Sequence, residues 1–397
     1  MLVFLLCSLF ICVQSSSPNV AVAHRLHKQS SELLSANDAG IDREILYYVP
    51  IYIGYPSVVF YLALTFEFSD VVVVDVRCGA MNNVGCPRYC SNSFFVTYCP
   101  VECHEITPQS DPLYCTEYKR VRYDASKSEM ARNLTEPKLW KGQLNGLRNM
   151  YGHYVRDVIK LGKAYLKNDT DPTSTFTVLD ARFVSGLQLD TRVYNEFSGG
   201  PRSRNGEESV VLQAFKQNMI PAPLVVISPL PTGINIYFGN YDKDCCTDFR
   251  FANLYGDKFS WTIEVEVRIN GVLMKRKQTL SISSTVNQLH LPSDMFRYLI
   301  AEEFVFFKDS ESLYLNNSLT IEFTLDDGSS FLIEEDFLFH DKSTNLTIIA
   351  PTPTTDASQF VEPDYLIGKA LMQYYCFYFD YEQLRLGIAY SITSGND

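Results

Sequence analysis

The chain has 397 residues, 46 acidic and 34 basic, for a formal net charge of −12. That acidic excess excludes a nucleic-acid binder, which needs a basic face against phosphate. An apolar fraction of 46%, with 26 phenylalanines and 25 tyrosines, excludes wholesale disorder, and at roughly 100–200 residues per domain the length predicts two domains or one large two-part unit.

In chain order the first feature is Met1–Val13, apolar except for Ser8 and followed by Gln14, Ser15, Ser16 and Ser17. It falls short of the about 20 apolar residues that a spanning helix needs, so no transmembrane segment is expected. Its small-residue exit fits a secretory signal over residues 1–15. Residues 16–46 are polar, carry the basic cluster His24-Arg25-Leu26-His27-Lys28, and read as a short linker.

Strands follow nearly everywhere. Tyr47–Val59 reads as a hairpin turning at Gly54 and Pro56, and Phe60–Val76 is a strongly β-branched run. Further strands are expected at Val155–Leu161, Leu224–Ser228, Ile234–Phe238, Trp261–Ile269, Leu319–Leu325 and Phe377–Tyr381. Asn270-Gly271 is the best short hairpin signal. Helices are expected only at Ser209–Gln217, Pro292–Glu303 and Lys369–Gln373, and Pro351–Ser358 reads as a surface loop. No short-period repeat is visible. The class is mainly β.

Of the 11 cysteines, Cys7 and Cys12 leave with the signal. Six of the remainder, Cys78, Cys86, Cys90, Cys99, Cys103 and Cys115, cluster within residues 78–115. Two Cys-x-x-x-Cys pairs imitate a zinc module, but in a chain bound for an oxidising compartment they read as a disulfide-stapled segment. Six cysteines allow 15 pairings, among which the sequence does not choose. No metal and no cofactor are expected. Nine cysteines leave one thiol unpaired or joined to another molecule, expected among Cys245, Cys246 and Cys376. Sequons at Asn133, Asn168, Asn316 and Asn345 mark candidate glycosylation sites on the surface.

Several segments, in order, resemble the pepsin-like aspartic protease family (peptidase A1). Tyr48-Val-Pro-Ile-Tyr-Ile-Gly-Tyr-Pro resembles its opening hairpin, and Phe60-Tyr-Leu-Ala-Leu the strand entering its first catalytic loop. Tyr123-Asp-Ala-Ser-Lys-Ser is similar to the family's Phe-Asp-Pro-Ser-x-Ser, and Gly152-His-Tyr-Val-Arg-Asp-Val-Ile to the strand leaving the active-site flap. Phe238-Gly-Asn-Tyr-Asp resembles the Gly-Gly-x-Asp of the central sheet. Tyr365-Leu-Ile-Gly-Lys-Ala-Leu, Tyr374-Tyr-Cys-Phe-Tyr-Phe-Asp and Leu386-Gly-Ile-Ala-Tyr complete the series. The resemblance covers residues 47–391. It implies a bilobal fold with an N-terminal lobe over 47–222, a C-terminal lobe over 223–397 and a sheet between them containing Leu224–Ser228 and Ile234–Phe238. Residues 78–115 become an insertion in the N-terminal lobe, and the basic cluster in 16–46 a shortened pro-like segment.

The family's reaction needs one aspartate from each lobe, two carboxylates sharing a proton, each in an Asp-Thr-Gly loop. Carried over residue by residue, the first loop reads Thr65-Phe66-Glu67-Phe68 and the second Ser283-Ser284-Thr285. Both aspartates are absent. An unactivated hydroxyl lies far above the working range of a general base, so neither Thr65 nor Ser283 replaces them. Glu67 and Asp70 are the nearest carboxylates to the first slot, and Glu67 is the candidate substitute base. The flap aromatic falls at Leu144, or at Trp140 if the flap is shorter. The buried hydrophobic-hydrophobic-Gly element reads Leu187-Gln188-Leu189 in the first half, without its glycine, and Leu366-Ile367-Gly368 in the second. No His-Glu-x-x-His motif, Gly-x-Ser-x-Gly elbow or phosphate-binding glycine loop is present.

The resemblance thus implies a secreted, catalytically inactive homologue whose interlobe cleft binds a peptide or protein, with the endolysosomal lumen as the alternative location. The alternatives in function are an active endopeptidase with an atypical dyad, and an interaction protein acting through the cysteine-rich insertion.

Overall fold

The computed structural model describes residues 19–25, 47–66, 69–76, 121–133, 139–144, 148–162, 175–188, 196–202, 206–230, 233–256, 260–273, 277–284, 286–307, 313–341, 346–352 and 363–392. The expected signal over residues 1–15, Glu67, the six-cysteine cluster, Asn168 and Asn345 lie outside them. Strands dominate the described residues, in sheets of 14, 8 and 4 strands, with two α-helices, Val210–Lys216 and Ser293–Ala301. The chain is mainly β. No described helix is long and apolar enough to cross a membrane.

Local sequence explains the elements that were expected. Along Ile263–Ile269, Ile263, Val265, Val267 and Ile269 are buried while Glu264, Glu266 and Arg268 turn outward, the period-two pattern of a strand covered on one face. Asn270 and Gly271 follow at φ +46° and +80°, the left-handed pair that a two-residue hairpin requires. Ser209 caps Val210–Lys216 by accepting from the Leu212 amide, and Val210, Val211 and Ala214 face inward. Pro292 opens Ser293–Ala301, which buries Met295, Phe296 and Leu299. Lys369–Gln373, expected as a helix, is only a 3₁₀ turn over Leu371–Gln373.

Several strands escape the sequence reading, among them two that build the large sheet. Thr175–Gln188 pairs along the strand Arg148–Gly162, and the charges interspersed in both hide their alternation. Asn19–Arg25 forms a strand inside the segment read as a linker. It runs antiparallel to Gly233–Phe238, from Asn19↔Phe238 to His24↔Gly233, and reaches Tyr47–Ile53 through His24↔Tyr48. The short run Val20-Ala-Val-Ala is β-compatible, and the polar residues that follow it mask the signal.

The pairings repeat. Tyr47–Ile53 and Val58–Thr65 form a hairpin, Val58–Thr65 runs parallel to Glu196–Ser198, Glu196–Ser198 is antiparallel to Val71–Val74, and Val71–Val74 is parallel to Thr175–Gln188. In the second half Ile263–Ile269 is antiparallel to Gln278–Ile282, which runs parallel to Tyr365–Ile367. Tyr365–Ile367 is antiparallel to Leu289–Leu291, and Leu289–Leu291 is parallel to Ile349–Pro351. The same five strands thus recur in the same order, with the same senses. The large sheet also takes in Leu224–Leu230 and Gly233–Phe238, paired between Asn19–Arg25 and Tyr375–Asp380, so one sheet carries strands from both ends of the chain.

The repeat relocates one element. The first-half strand lying parallel to Val58–Thr65 is Glu196–Ser198, not Leu187–Leu189, and Gly199 follows it as Gly368 follows Tyr365–Ile367. Gly368 has no room for a side chain: a Cβ there would lie 2.3 Å from the Gln288 carbonyl oxygen and 2.8 Å from that of Val286. Both obstacles are backbone, so the clash has no cheap relief. We expect Gly368→Ala to destabilise the chain by about 1–3 kcal/mol, read as a lower urea midpoint; an unchanged midpoint would contradict this packing.

Candidate functional site

The site begins where the two repeated units meet. Thr65 ends the strand Val58–Thr65, and Ser283 directly follows Gln278–Ile282, its counterpart. Both residues are buried, at 1% and 3% exposure. The Ser283 amide donates to the Ile367 carbonyl at 3.0 Å, and the Gly199 amide to the Thr65 carbonyl at 2.8 Å, so each slot is held by the strand running parallel to its own. Across the junction the Ser284 hydroxyl donates to the Leu64 carbonyl. This bond draws together the neighbours of Thr65 and Ser283, which stand 220 residues apart in the chain.

Ser284 has no polar counterpart in the first loop, where Phe66 stands instead. Phe66 is buried and stacks on Phe379, with centroids 4.8 Å apart and planes 16° from parallel. Trp261 packs on Phe379 and meets Tyr381 edge-on. Trp261 Nε1 and the Tyr381 hydroxyl both donate to the Gly199 carbonyl, at 2.6 and 2.8 Å. Burial pushes the Tyr381 phenol far above its ordinary range, so it acts here only as a neutral donor. The sequence reading missed these junction residues. The available signals were the Gly199-Gly200 pair and Trp261, one of only two tryptophans.

The buried carboxylates of the first half are engaged by hydroxyl donors, and Glu67 lies outside the described residues. Asp70 is buried, and the Tyr154 hydroxyl donates to it at 3.1 Å. Asp75, also buried, accepts from Ser185 at 2.6 Å. Asp157 is fully buried and accepts from the Tyr123 and Ser128 hydroxyls, at 3.0 and 2.9 Å, and from the Val158 amide. Ser128 accepts in turn from the Tyr55 amide. The opening hairpin, the Tyr123–Ser128 segment and the strand through Asp157 therefore meet in one polar cluster.

Leu139–Leu144 forms a hairpin with Arg148–Gly162. Leu144 lies opposite Arg148 beside the turn, and Trp140 opposite Gly152. The described residues that flank 77–120 lie side by side, because the Val76 amide donates to the Tyr123 carbonyl and the Tyr123 amide to that of Val74. Asn316 is exposed just after Leu313–Leu315, and Asn133 ends a two-residue strand.

A concavity of about 480 Å³ lies elsewhere, against the helix Val210–Lys216. Its charges are paired: Arg156 with Asp180 at 2.9 Å, Arg182 with Glu207 and Lys216 with Glu208. Gln213 and Gln217 bond the backbones of Arg182 and Leu179, fastening the helix to the sheet. This is a scaffold contact with no nucleophile–base pair. No protein-family model and no curated protein matches the chain. Its chemistry is read from its own residues.

The junction gives two expectations. In Tyr381→Phe the Gly199 carbonyl keeps its tryptophan donor, so the loss should be about 0.5–1.5 kcal/mol. Combined with Trp261→Phe the loss should exceed the sum of the single variants, because the buried carbonyl then has neither donor; strict additivity in a double-mutant cycle would refute this. The second expectation concerns His290, on Leu289–Leu291, whose buried Nδ1 has no hydrogen-bond partner and whose pKa is lowered by burial. Unfolding exposes the imidazole, so the unfolded chain binds its proton first as pH falls below about 6.5. Stability should therefore drop between pH 7.5 and 5.5. His290→Gln should make that drop smaller, as measured by urea midpoints, and an identical drop in both proteins would exclude His290 as its source.

Proposed function

We propose that the chain is a pepsin-like aspartic protease homologue that has lost its reaction, secreted, with a cleft between two lobes that takes an extended peptide or protein segment. The observation that carries this reading is the clasp between Ser284 and the Leu64 carbonyl. It joins equivalent ends of a repeated strand unit, where the family presents its two aspartates, and here the slots hold Thr65 and Ser283. The repeated pairings and the sheet shared by both ends of the chain support a bilobal architecture. The hairpin Leu139–Leu144 with Arg148–Gly162 supports a flap. A disulfide between Cys246 and Cys376 agrees with an oxidising compartment.

Two hydroxyls hold a water without ionising it. General acid–base catalysis contributes about 10²–10⁴-fold for each well-placed group, so losing both leaves hydrolysis near its uncatalysed rate. Binding is a separate contribution and survives such a loss. The test incubates purified chain with denatured protein across pH 2–6, with and without a transition-state-mimicking peptide inhibitor, and measures binding of that peptide separately. We expect binding without cleavage. Inhibitor-sensitive cleavage would overturn the reading, and its disappearance in Glu67→Gln would assign the base to Glu67.

A further inference from the structure

Away from the slots, the described residues hold one cluster of reactive side chains. Cys246 and Cys376 form a disulfide that ties the loop after Gly233–Phe238 to the strand Tyr375–Asp380. Both are buried, at 5% and 0% exposure. Cys245 is a free, half-buried thiol whose Sγ lies 3.2 Å from that of Cys246. All three sulfurs lie within 4.8 Å of one another.

We infer that Cys245 is the exchange thiol through which this buried bridge opens. Its thiolate attacks Cys246 Sγ; the Cys245–Cys246 bond forms as the Cys246–Cys376 bond breaks, and the electron pair leaves on Cys376. Cys245 has given up one proton and Cys376 takes one, so the step is an isomerisation that needs no oxidant or reductant. The new bond has one sulfur on the partly exposed residue. A small thiol of the glutathione class attacks there, forming a mixed disulfide with Cys245 and releasing Cys246 as a thiol. A second small thiol then frees Cys245 and leaves as the symmetrical disulfide. Two small thiols are oxidised for one bridge reduced.

The surroundings keep this exchange slow and local. Burial, with the negative charge of Asp242, pushes the Cys245 thiol above its ordinary value, so its thiolate is scarce at neutral pH. The Cys245 sulfur also donates to the Asp242 carbonyl at 2.8 Å. Backbone bonds fasten the loop to the C-terminal strands beside the bridge. The Ile392 amide donates to Cys245, the Thr247 amide to Tyr390, and Cys246 bridges Ser391. Opening the bridge thus loosens the loop's covalent tie to the C-terminal strands while leaving their alignment in place.

The test exposes native full-length protein to reduced glutathione at pH 8, quenches with acid, alkylates, and follows the Cys246–Cys376 bridge by peptide mass spectrometry. Wild type is compared with Cys245→Ser and with wild-type protein whose Cys245 has first been blocked by iodoacetamide, a treatment that needs no refolding. We expect the bridge to open at least tenfold more slowly in both blocked forms under native conditions, and at equal rates in all three in guanidinium. Opening of the iodoacetamide-blocked protein at the wild-type native rate would overturn the inference.

Discussion

Two hydrogen bonds converge on the carbonyl of Gly199, from Trp261 Nε1 and the Tyr381 hydroxyl, and the meeting of the two repeated units depends on that convergence. A buried carbonyl has two lone pairs to satisfy, and leaving one bare costs about as much as a lost hydrogen bond. Both donors come from the later part of the chain. The other face of the same residue looks back, since the Gly199 amide donates to Thr65. One short stretch of backbone therefore fixes the end of Val58–Thr65 and ties it to Trp261 and Tyr381. Glycine fits here because a Cβ would come within 3.2 Å of the Phe66 ring.

From that constraint follows the asymmetry of the junction. In the second loop Ser284 reaches across and bonds backbone; in the first, Phe66 fills the equivalent place and stacks on Phe379. A directional polar contact and a large apolar contact thus stand at corresponding positions of one repeated unit. The first joins the units directly and the second seats the first unit on the strand Tyr375–Asp380, but only polar groups also orient a carboxylate or a water. Under the proposed reading, the scaffold has kept its attachment on both sides and its polar surroundings on one.

The alternating residues of Ile263–Ile269, the Asn270-Gly271 turn and the Ser209 cap were legible because each signal is local. The duplicated strand unit was implied only by the family resemblance and was not legible from the residues themselves, because equivalent positions carry unlike residues: Thr65 with Ser283, Phe66 with Ser284. Backbone pairing preserves such a repeat without preserving letters. The hydrophobic-hydrophobic-Gly element was read at Leu187-Gln188-Leu189 by its letters, whereas the strand that pairs parallel to Val58–Thr65 and leads into a glycine is Glu196–Ser198. Asn19–Arg25 was hidden by the polar residues after it. Thr65 and Ser283 could be singled out from the sequence; that Gly199, Trp261 and Tyr381 organise their surroundings could not, because the contact joins residues separated by 62 and 182 positions.

Under the proposed reading, the first loop's substitutions reinforce one another. Thr65 is 1% exposed, and the residue after it is a stacked phenylalanine rather than a hydroxyl donor. An aspartate introduced in place of Thr65 would be desolvated there, with its neighbouring side chain offering no hydrogen bond to the ionised form. Desolvation raises a carboxyl pKa and favours the neutral acid, and each hydrogen bond to the ionised form opposes that shift. The catalytic pair needs the opposite balance in one of its members, an ionised carboxylate beside a protonated one. On the same proposed reading, the stack of Phe66 on Phe379 therefore withholds one hydroxyl donor from a carboxylate at this position, so restoring the charged atom alone leaves its burial less opposed than the Ser284 side of the junction would.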